Sequence, residues 1–313
     1  MPNSTTVTFS DPCEYQTAHR DGVQKVVVAG RGKYRARLTS VELHRVWMKG
    51  GWHSLPTVRH LALREDQSPI VFLTDLRQPP AICNGVEVKA GEVIVTRLGG
   101  EFHARGHPHA PWGALSLMTE DLAAFSRALV GHDLKPPAET RVVRPDPAAM
   151  SRLQSLYNAV DGLATTTAEI LAHPEVAKAI EQELARVLIS CLTETASTES
   201  LQPPRTKVMQ RFEQMLEAHR DEPLYLPDVC AAVGVSARTF RLYCREFLGM
   251  GPRRYLWLRR MHLVRRALAL ADPAKATVTT IANDHGFAEL GRFAVAYRNM
   301  YGEVPSMTLR RST

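Results

Sequence analysis

The chain has little of what marks several whole classes of protein. Its five cysteines, Cys13, Cys83, Cys191, Cys230 and Cys244, are odd in number and show no C-x-x-C spacing. That argues against a disulfide framework and a cysteine zinc site, and reduced, partly buried thiols are expected. No run of about eighteen apolar residues occurs, so no membrane-spanning helix is expected. The start, MPNSTTVTFSDP, lacks the basic opening and apolar core of a secretory signal, and the expected location is the cytoplasm with no membrane partner. Catalytic signatures are missing as well: there is no G-x-S-x-G, no P-loop, no G-x-G-x-x-G after a strand and no H-E-x-x-H. No catalytic residue, no metal site and no cofactor are therefore assigned.

What is present is length for about two domains and a charge that is unevenly placed. Of the net +7, residues 205 to 313 hold eighteen Lys and Arg against ten Asp and Glu, or +8, while residues 1 to 204 hold twenty-one against twenty-two, or −1. A basic domain joined to a neutral one is the electrostatic footprint of a polyanion binder, because cations that neutralise phosphates release condensed counterions. The same charge also fits a merely solvated basic face.

The neutral part is read first as β. Between residues 20 and 120 the runs QKVVVA, YRARLTSVEL, RHLALRE, SPIVFLTD, AICNGVEV, GEVIVTRL and WGALSLM are rich in Val, Ile and Leu and separated by turn residues. Asn84-Gly85 between two such runs predicts a hairpin, since both tolerate positive φ. Many short strands imply a sandwich or barrel. The Pro-rich stretch 131 to 147 is expected to end the strand pattern, after which the period becomes helical, with Ile180, Leu184, Val187, Leu188 and Cys191 on one face. These helices are expected either to pack under the β-domain or to pair with another copy of the chain. TETASTESLQPPR is read as a linker.

Two stretches of the basic part repeat one another. DVCAAVGVSARTFRLYCREFLG and DHGFAELGRFAVAYRNMYG, with the apolar residues before it, each read as a short helix, a Gly and an apolar residue, a second helix and a closing Gly. Val229, Cys230, Gly234 and Val235 match Ile281, Ala282, Gly286 and Phe287, and Phe240, Arg245 and Gly249 match Phe293, Arg298 and Gly302 at an offset one residue longer. Each Gly supplies the left-handed angle that stops a helix, and Ser236 is placed to cap the helix that follows it. Helix, tight turn, helix is the helix-turn-helix signature, and a second copy strengthens it. Between the copies, a long helix is expected to start at Pro252 and to carry Arg253, Arg254, Arg259, Arg260, Arg265 and Arg266, some of them expected within reach of phosphates and some simply solvated.

These residues resemble the DNA-binding domain of the AraC/XylS family of bacterial transcription regulators. The pattern is carried by G-V-S with Arg238, Phe240 and Gly249, by Pro252, Tyr255, Leu256, Arg260 and Met261, and by Ile281 to Phe287, Phe293 to Arg298 and Gly302 to Ser306. The resemblance implies a seven-helix domain whose two recognition helices enter successive major grooves of double-stranded DNA about 34 Å apart. It places Ser236, Arg238, Thr239, Arg241, Leu242 and Arg245 at the first DNA contact. Phe240 and Cys244 are expected to face the core. The second set is Leu290, Gly291, Arg292, Ala294, Val295 and Arg298. There the sequence departs from the family, offering apolar side chains where polar ones are usual, so less base reading and more backbone anchoring is expected. Thr308 stands where a Tyr is common.

The N-terminal half resembles, more loosely, the cupin-like sensing domains of the same family, chiefly through KAGEVIVTRLGGEFHARGHPH. His103, His107 and His109 raise a metal reading, against which stands the lack of a nearby Glu at cupin spacing and the expectation of surface histidines in a loop. A small-molecule pocket lined by Trp47, Trp52, Phe72 and Trp112 is the favoured expectation, its ligand unknown. The whole is therefore read as α+β, with an N-terminal β-rich cupin-like sandwich or barrel carrying helices and an all-α C-terminal domain of two helix-turn-helix units. The divisions are 1–135 for sensing or oligomerisation, 136–195 for helical dimerisation or support, 196–205 for a linker and 206–313 for DNA binding. The expected function is a sequence-specific regulator, with DNA, a small-molecule effector, a second copy of the chain and RNA polymerase as partners. The alternatives are a cupin-type metal enzyme carrying a DNA-binding tail, and a ligand-independent regulator whose N-terminal domain only oligomerises.

Overall fold

The structure is a computed structural model, and it describes residues 2–19, 22–193, 195–201, 205–219 and 222–311. From the N-terminus run β1 (Asn3–Phe9), α1 (Pro12–Thr17), β2 (Gly22–Val28), β3 (Ala36–Glu42), β4 (Val46–His53), β5 (Thr57–Leu63), β6 (Ile70–Leu73) and β7 (Ala81–Cys83). There follow β8 (Val86–Val88), β9 (Val93–Val95), β10 (Glu101–Gly106), β11 (Trp112–Leu117), α2 (Thr119–Val130), β12 (Arg141–Pro145), α3 (Pro147–Thr166), α4 (Ala168–Leu171), α5 (Pro174–Thr193) and β13 (Thr195–Ser200). Seven helices complete the chain: α6 (Thr206–Ala218), α7 (Leu226–Val233), α8 (Ala237–Leu248), α9 (Pro252–Leu270), α10 (Val278–Asp284), α11 (Leu290–Tyr301) and α12 (Pro305–Arg310). The molecule is thus a β-rich N-terminal part followed by a helical C-terminal part, as the sequence predicts.

The strands form an eight-stranded sheet, β1-β3-β4-β11-β6-β9-β12-β13, and a five-stranded sheet, β2-β5-β10-β7-β8, with antiparallel pairs throughout. The predicted hairpin is there: Asn84 at φ 49° and Gly85 at φ 80° join β7 to β8. Residues of both sheets line one cavity, so the sheets face each other. Side chains alternate across the five-stranded sheet. On β2, Gln24, Val26 and Val28 are buried on one side while Lys25 and Val27 face the helical domain; on β5, Val58 and His60 do the same.

Two expectations change, and for the helices one of two open alternatives is observed. Residues 131 to 147 do not end the sheet: Val142 and Val143 are buried in β12, which bonds to β9 on one side and β13 on the other, with the register breaking at Pro145, which has no N–H to donate. The stretch read as a linker holds β13, the edge strand of the larger sheet, because main-chain pairing needs no apolar side chains and a polar strand suits an exposed edge. Gln202, Pro203 and Pro204, also in that stretch, lie outside the described residues. The helices of 136–195 pack onto the eight-stranded sheet within the chain, Met150, Leu153, Tyr157, Leu184 and Leu188 sharing one core with Met48, Ile70 and Leu115. The face carrying Leu184, Val187, Leu188 and Cys191 is thereby buried.

Candidate nucleic-acid interface

Each helix-turn-helix unit is built by local chemistry. In the first, α7 stops at Gly234, φ 73°, whose N–H donates to the Cys230 carbonyl at 3.1 Å. Ser236 then caps α8, its hydroxyl accepting from the Thr239 N–H at 3.2 Å, and Gly249 at φ 71° ends the helix. In the second, Thr277 caps α10, accepting from the Thr280 N–H at 3.1 Å. Beyond it Gly286, φ 76°, donates to Asn283 at 2.8 Å and Phe287 to Ala282 at 2.9 Å, a Schellman stop. The extra residue of the second turn lies beyond this stop: two residues separate Phe287 from the start of α11, where one separates Val235 from α8.

Apolar residues of the two units are locked into one core. Phe240, Cys244 and Phe247 from α8 and Phe293, Tyr297 and Met300 from α11 are buried together with the spine of α9, Leu258, Met261, Val264 and Leu268. Of the positions predicted on α8, Ser236, Arg238, Arg241, Leu242 and Arg245 are exposed, and Thr239 is half-buried. Arg238, Arg241 and Arg245 are spaced i, i+3, i+7 along one side, and none of the three forms an ion pair among the described residues. On α11, Gly291, Arg292, Val295 and Arg298 are exposed, whereas Leu290 and Ala294 are half-buried and Leu290 packs against the core. Arg292 pairs with Glu289 at 3.0 Å. Thr308 is buried, and its hydroxyl joins Tyr297 Oη at 2.7 Å and Glu303 at 2.8 Å, so it closes the domain in place of the usual Tyr.

The arginines of α9 divide. Arg259 donates to the carbonyls of Leu216, His219 and Glu222, capping the C-terminal end of α6. Arg265 bridges Asp11 and Glu303, each at 3.4 Å, and Arg260 donates to the Gly286 carbonyl. Arg253 and Arg266 are exposed.

The helical domain is docked on the outer face of the five-stranded sheet through residues that sequence reasoning passed over. Glu213 on α6 is 2% exposed. Its Oε1 accepts from His103 Nε2 at 2.9 Å, and its Oε2 has Lys25 and His60 each at 3.6 Å. Burial pushes the Glu213 carboxyl up, but the hydrogen bond from His103 and the charges of His60, His103 and Lys25 outweigh it and hold the group down at about 2. The signal existed: Met209, Phe212, Glu213 and Leu216 follow i, i+3, i+4, i+7, which puts a carboxylate on the apolar stripe. Nearby, Arg105 on β10 donates to the Glu246 carbonyl at 3.4 Å, and the His103 ring meets Phe247 edge-on at 5.9 Å. His262 on α9 provides a second joint. Val28 N–H lies 3.1 Å from its Nε2, and Tyr301 Oη 3.2 Å from its Nδ1. Burial pushes this imidazole down to about 4, so it is neutral at pH 7.

The histidine trio is split. His103 is a buried strand residue rather than a surface loop residue, because strand alternation on β10 turns it toward α6; His107 and His109 sit exposed in the following turn. Among the described residues no three His, Cys, Asp or Glu are grouped to hold an ion. The cavity between the sheets includes Phe72 and Trp112 but neither Trp47 nor Trp52, whose ring lies 5.3 Å from His109. No helix among the described residues is long and apolar enough to cross a membrane.

A family model described as a helix-turn-helix domain matches residues 229–311. The "Probable thc operon regulatory protein" of Rhodococcus erythropolis is 43% identical over 95 residues, covering 30% of this chain and 29% of its own length. The "XylDLEGF operon transcriptional activator 1" of Pseudomonas putida is 28% identical over 169 residues, 52% of this chain and 50% of its own. The chain thus spans half or less of the length of these two curated relatives. Among solved structures, the AraC-like transcriptional activator CuxR aligns with a TM-score of 0.43 at 16% identity, covering 83% of this chain and 94% of that one.

Proposed function

We propose, from the premise that this chain belongs to the AraC/XylS family of bacterial transcription regulators, that it is a sequence-specific DNA-binding regulator. The observation that carries the reading is the exposed row Arg238, Arg241 and Arg245 on a helix whose opposite side is buried. A guanidinium presents a fork that matches guanine O6 and N7, and a rigid helix is what a major groove admits. Ser236, Thr239 and Leu242 complete the first contact. Leu290, Gly291, Arg292, Ala294, Val295 and Arg298 form the second, which works mainly on the backbone. The nineteen residues of α9, about 28 Å long, set the spacing of the two units.

The β-domain is the sensing half, with a small-molecule effector in the cavity between its sheets. The effector acts by favouring one arrangement of the two halves, through contacts such as His103 to Glu213. Activation is the assigned sign, since the P. putida relative is named an activator. A second copy of the chain and RNA polymerase are assigned as partners on the family premise alone. No catalytic role is assigned.

The test is selection of duplexes by the full chain from a randomised library, followed by anisotropy titration at two salt concentrations. A selected site bound roughly 10³-fold tighter than scrambled duplex at physiological salt is the expected outcome. Equal binding to all duplexes, lost as salt rises, would sink the reading and leave a phosphate-binding domain.

A further inference from the structure

The cavity between the sheets holds about 100 Å³. Its walls are largely apolar, with Leu61, Val71, Phe72, Ile94 and Phe102 among them. Two cationic side chains, Arg59 and Lys49, also line it, and no carboxylate does.

Arg59 is the anomaly. It shares the inner side of β5 with Leu61 and Leu63 at period two and is 9% exposed. It forms no ion pair among the described residues, and its Nε has no hydrogen-bond partner. Its guanidinium Cζ lies 5.6 Å from the centroid of the Trp112 ring. Leaving a guanidinium unpaired among apolar walls opposes folding. Other polar groups of the same lining, both amide atoms of Gln24, Trp112 Nε1 and His19 Nε2, complete no well-formed hydrogen bond, although Gln24 and Trp112 lie beside the buried Tyr15 hydroxyl. His19 adds no charge at neutral pH, since burial, Lys49 and Arg59 together push its imidazole down to about 3.

These groups define what would satisfy them. Arg59 and Trp112 can only donate, and Gln24 can do both. A planar carboxylate offers two acceptor oxygens in the spacing of a guanidinium fork. A sugar would bring many hydroxyls to walls that offer few partners. We propose that the cavity binds a small organic monoanion, its carboxylate on Arg59 with Gln24 and the Trp112 N–H, and its apolar body against Leu61, Val71 and Ile94. The assignment rests on the reading of this cavity as the effector site and names the chemical class it takes.

The test is calorimetric titration of the full chain, free of DNA, with straight-chain, alicyclic and aromatic carboxylates of four to eight carbons, each beside its neutral amide. At least one acid is expected to bind roughly tenfold or more tighter than its amide. Arg59→Met should erase that preference, and Arg59→Lys should keep part of it. Without ligand, Arg59→Met should raise Tm by about 2 °C or more, because it removes an unpaired buried cation. The proposal is overturned if no acid in the panel outbinds its amide, or if Arg59→Met leaves the preference intact. Should that variant not fold, equal binding of acid and amide by Arg59→Lys overturns it as well. Anion binding that leaves duplex affinity unchanged would remove the effector reading and keep the site. Binding of the amides alone would do the reverse.

Discussion

On α8 the exposed side carries Arg238, Arg241, Leu242 and Arg245, while on α11 it carries Gly291, Arg292, Val295 and Arg298, with Arg292 already tied to Glu289. The two backbones are near copies: a Gly stop at positive φ, a hydroxyl cap on one helix and a buried aromatic at matching positions, Phe240 and Phe293. What differs is chemistry at the surface and the neighbour behind it. The first unit rests on the β-domain through Phe247 and Glu246 against His103 and Arg105. The second touches it through the Gly32 N–H to the Met300 carbonyl and the His262 joint to Tyr301. A duplicated scaffold thus leaves its two copies free to divide the work, and under the proposed reading the first discriminates bases while the second anchors.

The comparison breaks most severely at Glu213. Glu213→Ala leaves His60, His103 and Lys25 facing one another without their carboxylate, and the full chain should lose roughly 3–5 kcal/mol in denaturant unfolding. A change below 1 kcal/mol would mean the helical domain is not held by this contact. The carboxylate is also incompletely matched, since Oε2 has no hydrogen bond, which suits a joint that must open.

The second unit's joint is tested by pH. His262 has its folded value near 4, below the ordinary 6.5, so the unfolded chain takes up the proton first and stability falls as pH drops from 6.5 toward 4. The loss should be on the order of 1–3 kcal/mol. Melting curves of His262→Gln should show a flatter acid limb than the parent protein; an identical limb removes His262 from the account.

Reading is tested on the exposed faces. Arg241→Ala should cost about 1–3 kcal/mol for the selected duplex and relax preference at one base position, whereas Val295→Ala should change affinity by about 0.5 kcal/mol or less. If the α11 substitution shifts sequence preference more, the division of labour is reversed. Anchoring is tested separately by Arg298→Ala. It should weaken all duplexes alike and reduce the slope of log affinity against log salt by about 1.

Much of the helical domain was legible because its signals are local. Gly234, Gly286, Ser236 and the spacing of Phe240 and Phe293 act within a few residues, so pattern alone places them. Strands β12 and β13 were missed because a run of two valines and the polar TASTES carry no period; neighbouring strands supplied the hydrogen bonds that made them strands. The pocket expectation was half right. Trp112 faces the cavity, whereas Phe72 only borders it with its ring turned to Tyr157 of α3 at 5.2 Å, and Trp47 and Trp52 do not line it; which aromatic faces inward depends on how the sheets close. Glu213 was visible as a charge on an apolar stripe, yet its partner His103 lies 110 residues away.

By itself the sequence determined the doubled helix-turn-helix, its turns and caps, the basic excess beyond residue 205 and the β-rich character of the first half, since each rests on short-range backbone preference or on simple charge. Tertiary structure alone decided that α3 and α5 cover the larger sheet, and that His60 and His103 turn outward to Glu213 while Arg59, beside His60, turns inward with no counter-ion among the described residues. Adjacent residues of one strand point to opposite faces, and only the packing of the sheets and of the domain behind them assigns a chemistry to each face.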